Sequence, residues 1–320
     1  MIFRPKTLPI TKVFDLTLSL SIRILPMVLI SFFIFLSVLT YPSQLLAQVH
    51  PGYEKFNLSI KDEAEILYAR GSFEEAIEKL KMALNSEGET SYIFRTMLKS
   101  WKALNSLDNA EAFFQNYQIS HKESSHLWYA VGFLNYLKGR YQKAELDFEK
   151  SVHLDPENGL AWNNLGAIYS EKKEYEIAIE KVKRAIKADS NEPIFIWNLQ
   201  KIYEEMGEPD RFKNEYKSLL KNDSKKLAWT YGKTLVRVIR QKAFLAYSKG
   251  ELDNAILGFE DMLKIYQDIG DVKGQVPAFF SLGLLNEEKG NIQKAQEYFA
   301  RVLAINPNHI QARDKIKNVD

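Results

Sequence analysis

The sequence predicts an all-α chain built as a solenoid of about seven helical hairpins. Trp128 and Trp162 stand 34 residues apart, and so do Gly132 and Gly166. A second helix-like run follows each Trp-x-x-x-Gly, with Ala144 and Phe148 in one copy and Ala178 and Val182 in the next. Leu154-Asp155-Pro156 separates the two copies. Repetition at such a period means one supersecondary unit stacked on copies of itself, so length counts units and not separate cores.

The N-terminal segment, 1–47, has a different composition. Its first part carries Arg4, Lys6, Lys12 and Arg23 against Asp15, and Ile24–Tyr41 then runs 18 residues without a charge. That length is the lower edge of a membrane span, and the preceding bases suit export with the N-terminus inside. Ala47 offers a signal-peptidase site, although Leu45 is large for its place and the basic region is long. A cleaved signal peptide and an uncleaved anchor both stay open. Either places the folded part at the cell envelope, exported or tethered by residues 24–41. Residues 48–56 read as a linker.

The array begins at residue 57. A glycine closing each first helix serves as a ruler: Gly71, Asn105, Gly139, Lys173 and Gly207 recur every 34 residues, and Gly250 and Gly290 continue with longer spacing. Five residues beyond each lie Ala76, Ala110, Ala144, Ala178, Phe212, Ala255 and Ala295. Nine beyond lie Leu80, Phe114, Phe148, Val182, Tyr216, Phe259 and Phe299. Residues 57–226 thus hold five hairpins in register, 227–309 two longer-spaced ones, and 310–320 a polar C-terminal capping helix. The extra residues before Gly250 predict a first helix that starts early, near Leu227, or a short extra turn broken at Gly232.

This pattern resembles the tetratricopeptide repeat (TPR) family. Trp162, Leu165, Gly166, Tyr169, Ala178 and Ala185 carry the likeness best, with Trp128, Gly132, Ala144, Phe148 and Pro156 before them and Leu282, Gly283, Ala295, Phe299 and Pro307 near the end. The resemblance implies a right-handed superhelical solenoid. Small residues are expected to let paired helices approach, Gly132, Gly166 and Gly283 each facing an alanine, while the large residues fill between hairpins. The ruler positions need left-handed backbone, which costs Lys173 about 1–2 kcal/mol. Pro156, Pro193 and Pro307 are expected where second helices stop.

Nothing in the sequence points to catalysis or a cofactor. It has no cysteine, which excludes disulfides, thiolate metal sites and cysteine nucleophiles. HExxH, GxGxxG and GxxxxGK motifs are missing. His121 and His126 lie five apart, off the spacing that puts a metal pair on one helix face. The net charge of +2 gives no reason to expect nucleic acid as a partner.

The resemblance further implies a concave groove lined by the first helices. Its positions supply Lys61 and Tyr68, then a basic stripe of Arg95, Lys99 and Lys102, then Tyr129, Phe133 and Tyr136. Asn163, Trp197, Lys201, Arg237, Arg240, Phe244 and Tyr247 follow, and then Phe280 and Leu284. Asn164 and Asn198 match asparagines that grip a peptide backbone in some TPR arrays. Such a surface would hold a protein or peptide with apolar and acidic side chains. The competing reading is that the aromatics tighten packing between first helices and the bases are solvated. Glu65 and Phe133 replace two members of the Lys/Asn clamp that some co-chaperones use, so a chaperone-tail receptor is not expected. Assembly through the solenoid ends or convex face, and a recognition subunit of an envelope complex, stand as alternatives. The oligomeric state stays open.

Overall fold

The computed structural model describes residues 58–121 and 123–317, all within one unit that begins at Leu58. The signal or anchor segment, the linker and the last three residues lie outside the described residues. What is described is helical throughout. Each hairpin pairs an odd-numbered first helix with an even-numbered second: α1 (Ile60–Ala69) with α2 (Phe73–Ser86), α3 (Ser91–Ala103) with α4 (Leu107–Gln118), α5 (Ser125–Leu137) with α6 (Tyr141–Leu154), and α7 (Gly159–Glu171) with α8 (Tyr175–Ala188). Then come α9 (Pro193–Glu205) with α10 (Pro209–Lys221), α11 (Lys225–Ser248) with α12 (Leu252–Asp268), and α13 (Val272–Glu288) with α14 (Ile292–Ile305). The helix α15 (Ile310–Lys317) closes the array, its Ala312 buried with Phe299 and Val302. None of these helices is long and apolar enough to cross a membrane.

The ruler residues do what their spacing demands. All seven have positive φ, including Asn105 at 53° and Lys173 at 63°. Each lets the chain turn sharply: Arg140 N–H donates back to the Asn135 carbonyl at 2.8 Å, and Glu174 N–H to the Tyr169 carbonyl at 2.9 Å. This six-to-one bond satisfies carbonyls left over at a helix end. The turn leads straight into the second helix, none of which has a side-chain cap. The longer joints between hairpins are closed differently. Ser59, Thr90, Ser124, Asn158, Glu192 and Asp271 each accept a backbone N–H from the first turn of the next first helix.

The core follows the same ruler. Ala76, Ala110, Ala144 and Ala178 are fully buried, and so are Leu80, Phe148 and Val182. Two of the three glycines play a different part from the one expected. A Cβ on Gly132 would meet the Phe148 ring at 2.8 Å, and one on Gly283 the Phe299 ring at 2.5 Å. Gly132 and Gly283 therefore make room for the large residue of the partner helix, the alanine lying one turn away, whereas a Cβ on Gly166 would meet both Val182 and the Ala178 carbonyl, the latter at 3.1 Å, as expected. In the sixth hairpin the glycine moves to the second helix, where Gly258 lies against Ala243.

Two further expectations are corrected or settled. Pro193 does not stop a second helix. It is the first residue of α9, where its fixed φ and missing N–H cost nothing. The helix α11 runs 24 residues unbroken through Gly232, which is buried against Ile269 and Ile265 of the α12 end. Neighbouring hairpins are also tied at the surface. Lys138 and Arg140 bind Glu111, Lys172 binds Glu145 at 2.7 Å, and Arg211 binds Glu176 at 2.6 Å. Exposed rungs of this kind contribute about 0–1 kcal/mol each.

Candidate functional site: the inner face of the first helices

The first helices of hairpins two to four start with small residues, Ser91, Ser125 and Gly159, all buried. The Asn158 amide lies 2.9 Å from Ser91 Oγ and 3.0 Å from Ser125 Oγ, so α3 and α7 are tied although α5 stands between them. His126 adds a contact from its Nδ1 to Ser91 Oγ at 3.0 Å. This buried polar cluster draws the N-terminal ends of the first helices together and curves the inner face tightly there. It was missed in the sequence because its members sit at helix starts, where Ser and Asn also serve as ordinary caps.

The curvature closes the face on itself. Tyr92 of α3 donates its hydroxyl to Asp189 at 3.1 Å, and Arg95 of α3 stands 3.8 Å from Glu192. Asp189 and Glu192 belong to the joint between α8 and α9, in the fifth hairpin's approach. Burial and the facing carboxylates raise the Tyr92 phenol well above its ordinary range. Neither acid was among the expected site residues. Register arguments compare neighbours, and no pattern within one repeat marks a contact that skips two hairpins.

Tyr129 lies beneath this closure, and its placement is a correction. Its side chain is 0% exposed, so it floors the site as core and offers no surface to a ligand. The ring stacks on Phe133 at 6.0 Å and tilts against Phe148 at 5.9 Å. Its hydroxyl has Asn164 for a hydrogen-bond partner. Asn163 is also buried and accepts from the Asn198 amide at 2.7 Å. Of the two asparagines read as backbone grips, Asn198 therefore binds the groove residue Asn163, and Asn164 holds Tyr129.

The other expected residues spread over three settings. Arg95 and Lys99 are half-buried. Lys99 has its pKa lowered, first by burial and then by the Arg95 charge beside it. Lys102, one turn on, is exposed. Phe133 and Tyr136 are half-buried on α5, and Phe133 packs against the clusters on both sides of it. Tyr136 and Lys201 face each other electrostatically across α7, while Lys201 also pairs with Glu205 at 3.0 Å. Trp197 is half-buried, and the exposed Arg237 lays its guanidinium 4.8 Å from the Trp197 ring. Arg240 is exposed on the same helix. Phe244 packs on Phe259 and Phe280 on Phe299 and His309, so those two aromatics serve packing.

A recess of about 440 Å³ opens beside the closure, lined by Lys61, Glu65, Tyr68, Tyr92, Arg95, Thr96 and Glu192. It presents two cations, Lys61 and Arg95, two acids, Glu65 and Glu192, and the phenols of Tyr68 and Tyr92, groups that hydrogen-bond peptide amides and, at the cations, carboxylates.

Comparison with known proteins bears on the repeats. Sequence models described as tetratricopeptide repeat match residues 125–158 and 276–309, and another matches 148–180. No curated protein gives a match. Among solved structures, the chain is similar to the C-terminal part of a TPR repeat-containing protein from Cytophaga hutchinsonii, at 16% identity and a TM-score of 0.41, covering 80% of this chain and 99% of that one. It is similar to the APC/C hetero-tetramer Cut9-Hcn1 at 17% identity and a TM-score of 0.45, covering 86% and 57%. It is similar to YrrB, a TPR protein with an unusual peptide-binding site, at 19% identity and a TM-score of 0.32, covering 64% and 97%. The chain thus carries tetratricopeptide repeats at 125–180 and 276–309, and the same ruler turns recur in its other hairpins.

Proposed function

We propose that this chain is a scaffold at the cell envelope, exported or membrane-anchored, that holds a protein or peptide partner on the inner face of its first helices. The observation that supports this most is the row running from Phe133 and Tyr136 on α5 to Trp197 and Lys201 on α9 and Arg237 on α11. These aromatics are only half-buried, and the cations beside them reach solvent. An aromatic row left partly open, with a guanidinium laid on Trp197 and Lys201 facing solvent beside it, fits recognition. Rigid aromatic area with flanking cations is what an apolar and acidic peptide needs.

The test is a photoreactive residue at Tyr136, crosslinked in cells and followed by mass spectrometry. A second one at Leu146, exposed on α6 of the outer layer, is the control. Capture at position 136 and not at 146 is the expected result. Capture at 146 alone would favour assembly through the convex face. The envelope placement has its own test, since a full-length chain starting at Met1 in a soluble fraction would remove it.

Assembly through the first hairpin is a second reading, because Leu58, Ile66 and Met82 are exposed there. Light scattering behind size exclusion separates the two, a monomer favouring the inner face.

A further inference from the structure

The closure between α3 and the α8–α9 joint has the chemistry of a bound ligand. Two carboxylates three residues apart, Asp189 and Glu192, reach across the inner face to a phenol and a guanidinium. They come from a short irregular segment, Asp189-Ser190-Asn191-Glu192, and not from a helix face. A peptide strand laid in the same place would offer the same groups.

The match is incomplete on the cationic side. Arg95 and Glu192 are 3.8 Å apart, long for a bonded pair. Lys99, one turn along α3 from Arg95, has no ion-pair partner among the described residues. The 440 Å³ recess is lined by the same Arg95 and Tyr92 with Lys61, Glu65 and Tyr68, and Lys99 stands one turn of α3 beyond that lining. The charge of Glu192 acts on both cations, but it approaches only Arg95, and it makes no ion pair with Lys99; a ligand with two carboxylates could pair with each.

From this geometry we infer that the Asp189–Glu192 joint is a built-in competitor, and that the recess beside it takes an acidic peptide bearing two carboxylates about three residues apart, by exchange with that joint. This rests on the inner face being the partner surface. The ligand pairs directly with Arg95 and Lys99, where Glu192 reaches Arg95 at 3.8 Å and Lys99 only through its field, while the protein gives up its own Arg95–Glu192 and Tyr92–Asp189 contacts. The exchange sets a threshold: acidic segments that engage both Arg95 and Lys99 displace the joint, and weaker ones do not. Glu192 also caps α9 through a bond from Ile194 N–H, so leaving Arg95 does not require α9 to unravel.

The probe is the chain's own joint supplied in trans: a fluorescein-labelled peptide of residues 187–195, KADSNEPIF, titrated by anisotropy into the full chain in non-ionic detergent. The Asp189→Asn/Glu192→Gln protein should bind it at least tenfold more tightly than the wild type. Adding Arg95→Ala and Lys99→Ala should remove that binding, and a peptide with Asn and Gln in place of the two acids should not bind. Equal binding by wild type and the Asp189→Asn/Glu192→Gln protein overturns the inference. So does binding that survives loss of Arg95 and Lys99, or no binding by any protein. Far-UV circular dichroism checks folding. If the double variant does not fold, Glu192→Gln alone keeps a cap oxygen and the Tyr92–Asp189 bond, and should still gain at least threefold. Crosslinking at Tyr136 distinguishes the two failures: partner capture without peptide exchange removes this inference and leaves the partner surface standing.

Discussion

Asn198 donates its side-chain amide to the carbonyl of Asn163 at 2.7 Å, joining α9 to α7 across the inner face. Asn163 is buried and Asn198 is half-buried, so the bond is sheltered from water. Replacing Asn163 by Ala should cost about 1–2 kcal/mol, because a sheltered donor loses its acceptor. A double-mutant cycle with Asn198→Ala should show a coupling of about 1 kcal/mol by urea unfolding. Additive losses would mean that the two amides act separately.

Tyr129 and Trp197 should part company. Tyr129 is fully enclosed between Phe133 and Phe148, so Tyr129→Ala removes core volume and should lower stability by about 3–5 kcal/mol. Trp197 is half-buried under Arg237, and Trp197→Ala should cost about 1 kcal/mol while weakening partner capture. Thermal melts of the two variants, with crosslinking at position 136, test this. A Tyr129→Ala protein that melts like the wild type would contradict its place in the core.

Lys173 occupies a turn that glycine fills in five of the other hairpins, at φ 63°. Its Cβ crowds the backbone there, so Lys173→Gly should raise stability by about 1 kcal/mol, seen as a higher melting temperature. Lys173→Val should lower it, since a β-branched residue tolerates that backbone least.

Glu111 gives the array an acid-sensitive rung. Hydrogen bonds from Arg140 and Lys138 hold its carboxyl down at about 2. The unfolded chain would protonate it near the usual carboxylate value, at about 4.3. The rung therefore stabilises fully above that value, and its contribution is lost as pH falls through about 2. Between pH 5 and pH 2 the wild type should lose more stability than Glu111→Gln, measured by urea unfolding at fixed salt. Because the pair lies near the surface, raising the salt should shrink the difference.

How far the sequence could be read depends on how far apart the interacting residues are. The ruler positions, the buried alanines and the large apolar residues nine beyond each ruler are repeated signals, each visible by comparison with its neighbours. The contacts of Gly132 and Gly283, though not of Gly166, were read one turn wrong, since spacing alone does not say which residue of a facing helix lies over a gap. The inner face was legible as a set of first-helix positions, but not as an arrangement. Tyr129 occupies the same repeat position as Arg95, Asn163 and Trp197, yet these side chains range from fully to half-buried. What separates them is curvature, and curvature comes from Ser91, Ser125, Asn158 and Gly159, small or polar residues that carry no periodic hydrophobic signal.

The Tyr92–Asp189 and Arg95–Glu192 contacts each span 97 residues of chain. A stack of hairpins otherwise folds through short-range closures, each new unit adding to the last. These two bonds can form only after hairpins two to four have docked, so they belong to the end of folding and not to its nucleus. Once made, they link hairpin two to the start of hairpin five, so these hairpins should exchange their amide protons more nearly as one block than the first hairpin does.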